Sequence, residues 1–175
     1  IALGGGVIGD LSGFVAATFL RGIGLIQLPT TLLAQVDSSV GGKVAVNLPA
    51  GKNLVGSFYQ PKAVFANIDT LRTLEQRDYL SGLAESIKTA AIVDQELFNL
   101  FETEHERIMR RDPEILCQII SRTCELKAAV VCEDEQEQGL RAILNYGHTL
   151  AHALEVLTDY QLYRHGEAVA IGMAF

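Results

Sequence analysis

The chain has 175 residues, 49% of them hydrophobic and 20% charged, with a formal net charge of −7. That composition suits one globular domain, or two small ones, with a real hydrophobic core. An acidic balance argues against a nucleic-acid partner, which calls for a basic surface, and no apolar run approaches the ~20 residues of a membrane span. The charge is unevenly spread: residues 1–74 carry five basic and three acidic side chains, and the rest carry nine and eighteen. No basic region precedes an apolar stretch at the start, as a signal peptide would have, so a cytoplasmic location is expected. The sequence opens without Met on an apolar run and ends inside an apolar helical pattern, so a piece of a longer protein is expected.

Residues 1–3 read as the end of a buried strand. They run into Gly4-Gly5-Gly6-Val7-Ile8-Gly9-Asp10 and then a helical pattern over 11–20. Gly4, Gly6 and Gly9 fit GxGxxG in a strand-turn-helix setting, where backbone N–H groups can approach a pyrophosphate. Tight strand-helix turns also use glycine for packing alone, and no acidic residue lies ~20 positions on to hold a ribose. A second strand over 25–28 is closed by Pro29-Thr30-Thr31, and residues 63–68 read as a third.

Between them stand Asp37-Ser38-Ser39-Val40-Gly41-Gly42-Lys43 and Gly51-Lys52-Asn53. Lysine beside glycine suits an anion site, since the backbone can come close while the ammonium supplies a point charge; the alternative is a solvated loop lysine.

Beyond Thr70 the pattern is helical over 75–91, 95–104, 113–132, 140–157 and 167–175. Asp94 and Asp112-Pro113 predict helix starts. The expected fold is an α/β portion over 1–70 and an all-α part over 71–175. Cys117, Cys124 and Cys132 fall on roughly one helix face without a CxxC pair and read as small packed residues rather than a thiol metal site.

Glu85 and Lys88 share a helix face, and spacing alone makes them a surface pair. His148 and His152 stand four apart, which suggests two ligands of one metal. His165 opens the next helical segment, and His105 sits in a charged run as a surface residue.

The ordered set GGGVIGD, PTTLLAQVDSSVGGK, GKN, GLAESIK, GLRAILNYGHTLAH and HGEAVAIGM resembles the 3-dehydroquinate synthase family across essentially the whole chain. The resemblance makes 1–70 part of a Rossmann-like NAD-binding domain and 71–175 part of an all-α metal- and substrate-binding domain, and implies that about a quarter of the enzyme lies beyond each end, the N-terminal part carrying the adenosine side of the NAD site. It moves the metal, Zn or Co, onto Glu85, His148 and His165, and frees His152 for substrate. It implies His152, Glu137, Lys88 and Asp37 as catalytic groups. Arg21, Lys43, Asn53, Lys127, Arg141 and Asn145 would bind substrate. Gly5, Gly6, Val7, Gly9, Asp10, Thr30, Thr31, Lys43, Lys52, Thr70, Leu71, Arg72 and Thr73 would lie near NAD.

The implied reaction converts the keto-acid phosphate DAHP to 3-dehydroquinate and phosphate. It proceeds by transient oxidation with NAD, β-elimination of phosphate, re-reduction and intramolecular aldol closure. A homodimer is implied, with Arg21 reaching a neighbouring site. Three rival readings are another sugar phosphate cyclase, a glycerol dehydrogenase-like oxidoreductase, and a helical binding protein with structural histidines.

Overall fold

The computed structural model describes all residues, 1–175. A parallel sheet of order β1-β2-β5 is built from Ala2–Gly4 (β1), Ile26–Pro29 (β2) and Ala63–Val64 (β5), with Ala2 opposite Gln27 and Ile26 opposite Ala63. The crossover from β1 to β2 is helix α1, Gly6–Thr18, as the glycine turn predicts, although it begins five residues earlier than residue 11. Its first turn has only Gly5 as cap and no side-chain acceptor; Ile8 and Gly9 N–H donate to the Gly5 carbonyl at 3.1 Å, which leaves the Gly6 and Val7 amides without an acceptor in the helix.

The segment between β2 and β5 is more ordered than its glycines suggest. Lys43–Leu48 (β3) and Gly51–Phe58 (β4) form an antiparallel hairpin, Lys43 opposite Phe58, with a register irregularity between Val46 and Leu48. Before it, Ala34–Ser38 winds as a single π turn. Such turns recur at functional sites, and this one carries Asp37. The buried Gln35 amide braces it, donating to the carbonyl oxygens of Pro29 and Asn67 at 3.2 and 3.0 Å.

Seven α-helices are present, and six follow the sheet: α2 (Gln76–Val93), α3 (Gln95–Thr103), α4 (His105–Met109), α5 (Pro113–Glu133), α6 (His148–Leu157) and α7 (His165–Ala174). Asp94 caps α3 by accepting from Leu97 N–H at 2.9 Å, and Asp112 caps α5 by accepting from Glu114 and Ile115 N–H at 3.1 and 3.3 Å. Both caps are as expected.

The continuous helix expected over 140–157 is not formed. Leu140–Asn145 is a 3-10 segment, and Gly147 breaks the run at φ +78°, a left-handed conformation that side chains resist. The break makes His148 the first residue of α6.

The main core joins α2, α3, α4 and α5 to the π turn through Leu32, Val36, Leu71, Tyr79, Leu83, Leu97, Ile108, Leu116 and Ile119. Each large apolar side chain buried there contributes about 1.5–3 kcal/mol against exposure. Helix α2 runs through the middle of the helical half, so residues 81–86 are buried on every side. That is why Glu85 is interior although its local pattern reads as surface.

Of the cysteines only Cys124 packs, donating to the Gln35 carbonyl at 3.3 Å, while Cys117 and Cys132 are exposed. No helix is long and apolar enough to cross a membrane.

Candidate active site

Three helices deliver one cluster: Glu85 from the middle of α2, His148 and His165 from the first residues of α6 and α7. Their ligand atoms all lie within 4.8 Å of one another. Glu85 is 2% exposed, and its Oε2 accepts from Lys88 Nζ at 2.5 Å. The spacing-based surface pair is therefore a buried one.

Oε1 of Glu85 is buried without a hydrogen-bond donor, while His148 Nε2 and His165 Nε2 stand 3.9 and 3.6 Å from it. An orphaned buried carboxylate oxygen is costly. A divalent cation among these atoms removes the cost, and the donor set fits one: two imidazoles and a carboxylate with positions left open suit zinc or cobalt.

The remaining ring nitrogens are already engaged. His148 Nδ1 faces the Tyr146 carbonyl at 3.2 Å and His165 Nδ1 faces Glu155 Oε1 at 3.1 Å. Such contacts fix the tautomer that leaves Nε2 free to ligate. Burial and nearby Lys88 push His148 down to about 4, so it is neutral near pH 7 as a ligand must be. Burial and Asp37 raise Glu85. His165 is held above its ordinary value because Glu155 and Glu85 outweigh its burial. His152 stacks edge-on to His148 at 5.3 Å but lies outside the cluster.

His148 and His165 face a cavity of about 560 Å³ that also gathers Asp37, Lys43, Asn53, Lys88, Lys127, Glu137, Arg141, Asn145 and His152. Lys43, Lys88 and Lys127 are each paired with a carboxylate. Lys127 Nζ donates to both Asp37 Oδ1 and the Asp37 carbonyl at 2.6 Å, and Lys43 bonds Glu137. Burial opposes the charged form of Asp37, but Lys127 and Lys88 outweigh it and hold the carboxyl well below the usual range. Arg141, 4% exposed, donates to the Gly41 and Glu135 carbonyls. Burial and the Arg141 and Lys127 charges lower Lys43. Asn53 and Glu137 adopt left-handed backbone at φ 56° and 57°. Strain of this kind in non-glycine residues gathers at functional sites.

The glycine turn and Gly5, Gly6 and Gly9 lie against Thr31, Ser38 and Gln27, at the carboxyl ends of the parallel strands. In open α/β sheets ligands bind there. Thr30 N–H donates to Gly4 O at 2.9 Å, and Thr31 Oγ1 accepts from Ala34 N–H at 3.2 Å. Lys52 stands 3.7 Å from Glu155 Oε1 and 5.2 Å from the Tyr160 ring centroid.

Thr70, Leu71, Arg72 and Thr73 belong to the 3-10 segment Ile68–Thr73, where Leu71 is fully buried in the core and offers a ligand only its backbone. Val7 and Arg21 are exposed and line no part of the cavity. His105 is exposed as expected.

Asp10 joins the cavity wall with its carboxyl raised from 3.8 to about 6 by burial and the Asp37 charge. A raised acid favours the folded state below its unfolded value, and that advantage is lost as pH climbs from 3.8 to about 6. Asp10→Asn is therefore expected to stabilise the fold by about 2 kcal/mol at pH 7, after discounting for partial exposure, and to change nothing at pH 3. Urea unfolding at the two pH values checks this.

The N-terminal model of 3-dehydroquinate synthase matches residues 1–81 and the C-terminal model of the same enzyme matches residues 82–175. The chain belongs to the 3-dehydroquinate synthase family. Among curated relatives, the 3-dehydroquinate synthase of Caldanaerobacter subterraneus subsp. tengcongensis is 62% identical over 175 residues, covering 100% of this chain and 49% of the relative. That of Thermodesulfovibrio yellowstonii is 60% identical over 173 residues, covering 99% and 48%. The chain thus spans about half the length of these relatives.

Among solved structures, ValA, a 2-epi-5-epi-valiolone synthase from Streptomyces hygroscopicus subsp. jinggangensis with NAD+ and Zn2+ bound, superposes with TM-score 0.91 at 31% identity over 99% of this chain and 48% of its own. A 2-deoxy-scyllo-inosose synthase complexed with carbaglucose-6-phosphate, NAD+ and Co2+ gives 0.89 at 39% identity, covering 98% and 47%. The family fold is therefore that of the sugar phosphate cyclases, a parallel sheet followed by a largely helical portion.

Two features of the site escape the sequence reading. The hairpin β3–β4 brings Lys43 and Asn53 to the same cavity wall, and the alternation in Lys43–Leu48 was its signal. Glu155 lies three residues beyond His152, on the helix face that carries both histidines, and only that spacing could have marked it.

Proposed function

We propose that this chain forms the central part of a 3-dehydroquinate synthase that converts DAHP to 3-dehydroquinate with loss of phosphate, a carbon-oxygen lyase step of aromatic amino acid biosynthesis. One observation carries the reading: the cavity lined by His148 and His165, the two histidines that converge with Glu85, is also lined by Lys43, Lys88, Lys127 and Arg141. A small polyol needs no such set of cations, whereas a substrate with a phosphate and a carboxylate needs two separate groups of them.

Glu85, His148 and His165 would hold the divalent metal, and the turn at Gly5, Gly6 and Gly9 with Asp10, Thr30, Thr31 and Lys52 would face NAD. When bound, the metal supplies Lewis acidity toward substrate hydroxyls and NAD supplies reversible hydride acceptance.

The chain's own side chains do the rest. Lys127 and Lys88 are held in place by Asp37 and Glu85, so they meet an entering anion preorganised rather than searching rotamers. Lys43 is tied to Glu137, itself held by Asn145 Nδ2 at 2.5 Å, so an arriving anion takes over Lys43 and releases a carboxylate beside the reacting carbons. That carboxylate can accept a proton. His152, outside the metal cluster and open to the cavity, can exchange a proton with a substrate oxygen.

We place the division between nucleotide and metal halves near residues 69–75, where strands end and α2 begins. The enzyme is proposed to be a cytoplasmic homodimer in which Arg21 serves the neighbouring site.

Phosphate release tests the proposal in a protein of the relatives' full length, with NAD and zinc or cobalt. Release from DAHP is expected and release from sedoheptulose 7-phosphate is not. The reverse preference would assign a different cyclase, and net NADH formation from a simple polyol would assign an oxidoreductase.

A further inference from the structure

Glu155 has no part in the metal cluster or the cavity wall, yet it is a carboxylate only 4% exposed in the second turn of α6. Burying such a charge is expensive unless specific partners hold it. It has two. Oε1 meets His165 Nδ1 at 3.1 Å, and the same oxygen lies 3.7 Å from Lys52 Nζ. Lys52 is held from a second direction by the Tyr160 ring.

We propose that Glu155 is a positioning residue that fixes His165 as the Nδ1–H tautomer, with Nε2 turned toward Glu85, and that it anchors Lys52 through the same carboxylate. The inference rests on the metal reading of Glu85, His148 and His165.

Two of the three cluster residues need outside help to hold their orientation, and the help differs in kind. His148 is oriented by the Tyr146 carbonyl, two residues away in its own loop, so local backbone geometry suffices. His165 follows an irregular segment over 158–164 and has no such local acceptor, so its acceptor comes from another helix. A carboxylate partner also makes the imidazole a stronger donor to metal than a carbonyl does. Because Lys52 shares the oxygen, loss of Glu155 frees a lysine of the hairpin as well as the histidine. No other group in the chain links the hairpin to a cluster ligand through one atom.

Glu155→Ala and Glu155→Gln, in a protein of the relatives' full length, separate orientation from mere bulk. The amide oxygen of glutamine can still accept from Nδ1–H, whereas alanine cannot. Cobalt(II) affinity, measured by competition with a chelator, is expected to fall 10–100-fold in Glu155→Ala and about threefold in Glu155→Gln. The cobalt absorption band is expected to shift in the alanine variant and to return toward wild type in the glutamine variant.

Wild-type cobalt affinity in Glu155→Ala would overturn the inference while leaving the metal reading intact. Equal losses in both variants would do so too. A wild-type protein that takes up no cobalt would overturn the metal reading and this inference together.

Discussion

Replacing Glu85 by glutamine is expected to abolish tight metal uptake and to lower turnover by roughly a thousandfold in a protein of the relatives' full length. Charge stabilisation by a metal is worth several kcal/mol in a transition state, and about 4 kcal/mol corresponds to that factor. Glutamine keeps an oxygen for Lys88 but loses the negative charge that offsets two cationic neighbours and the metal. The metal-free fold should survive. Its loss is about 3–5 kcal/mol, the cost of leaving the buried Lys88 charge without its partner's charge.

The two effects are separable by thermal unfolding. Zinc at a thousand times its dissociation constant should stabilise the wild type by about 4 kcal/mol and the variant by almost nothing. An equal gain in both would show that the metal sits elsewhere.

How much of this was legible in the sequence depends on the range of the interaction involved. Caps are local, so Asp94 and Asp112 announce the helices they start. The strand-glycine-helix turn is local as well, and β1 and α1 follow from it. The position of Glu85 is not local. Its spacing to Lys88 is the same on a surface helix as on a central one, and only the packing of α7, α5 and the π turn around α2 decides between them.

The paired histidines show the same limit. Spacing by four puts His148 and His152 on one face, but which of them meets Glu85 depends on where the α6 axis begins. The Gly147 break fixes that start, and 3.6-residue periodicity runs across it unaware. The hairpin was masked differently. Its glycines and lysines read as loop, although Gly56 is paired with Ala45 in the ladder, where an added Cβ would run into the Val44 carbonyl oxygen.

Gly172→Ala is expected to be among the most damaging single-methyl changes in the helical half. Within a helix, alanine ordinarily gains about 1 kcal/mol over glycine. Here the added Cβ would fall far inside van der Waals contact distance of the Gly147 carbonyl oxygen, where backbone meets backbone and no side chain can swing aside. Overpacking of that kind costs about 3 kcal/mol or more when nothing yields. The net loss should therefore be about 2–4 kcal/mol, read as a lower urea midpoint.

Gly24→Ala is the control. Its Cβ meets nothing within 4 Å, so a change within about 0.5 kcal/mol is expected. The damage should extend to chemistry, because Gly147 is the residue before His148 and α7 begins at His165. Forcing α7 off Gly147 moves two of the three cluster residues apart, and a misplacement near 1 Å costs about a hundredfold in rate. Metal affinity in Gly172→Ala should accordingly fall even at temperatures where the variant is fully folded. Unchanged affinity would mean that the glycine contact serves packing alone.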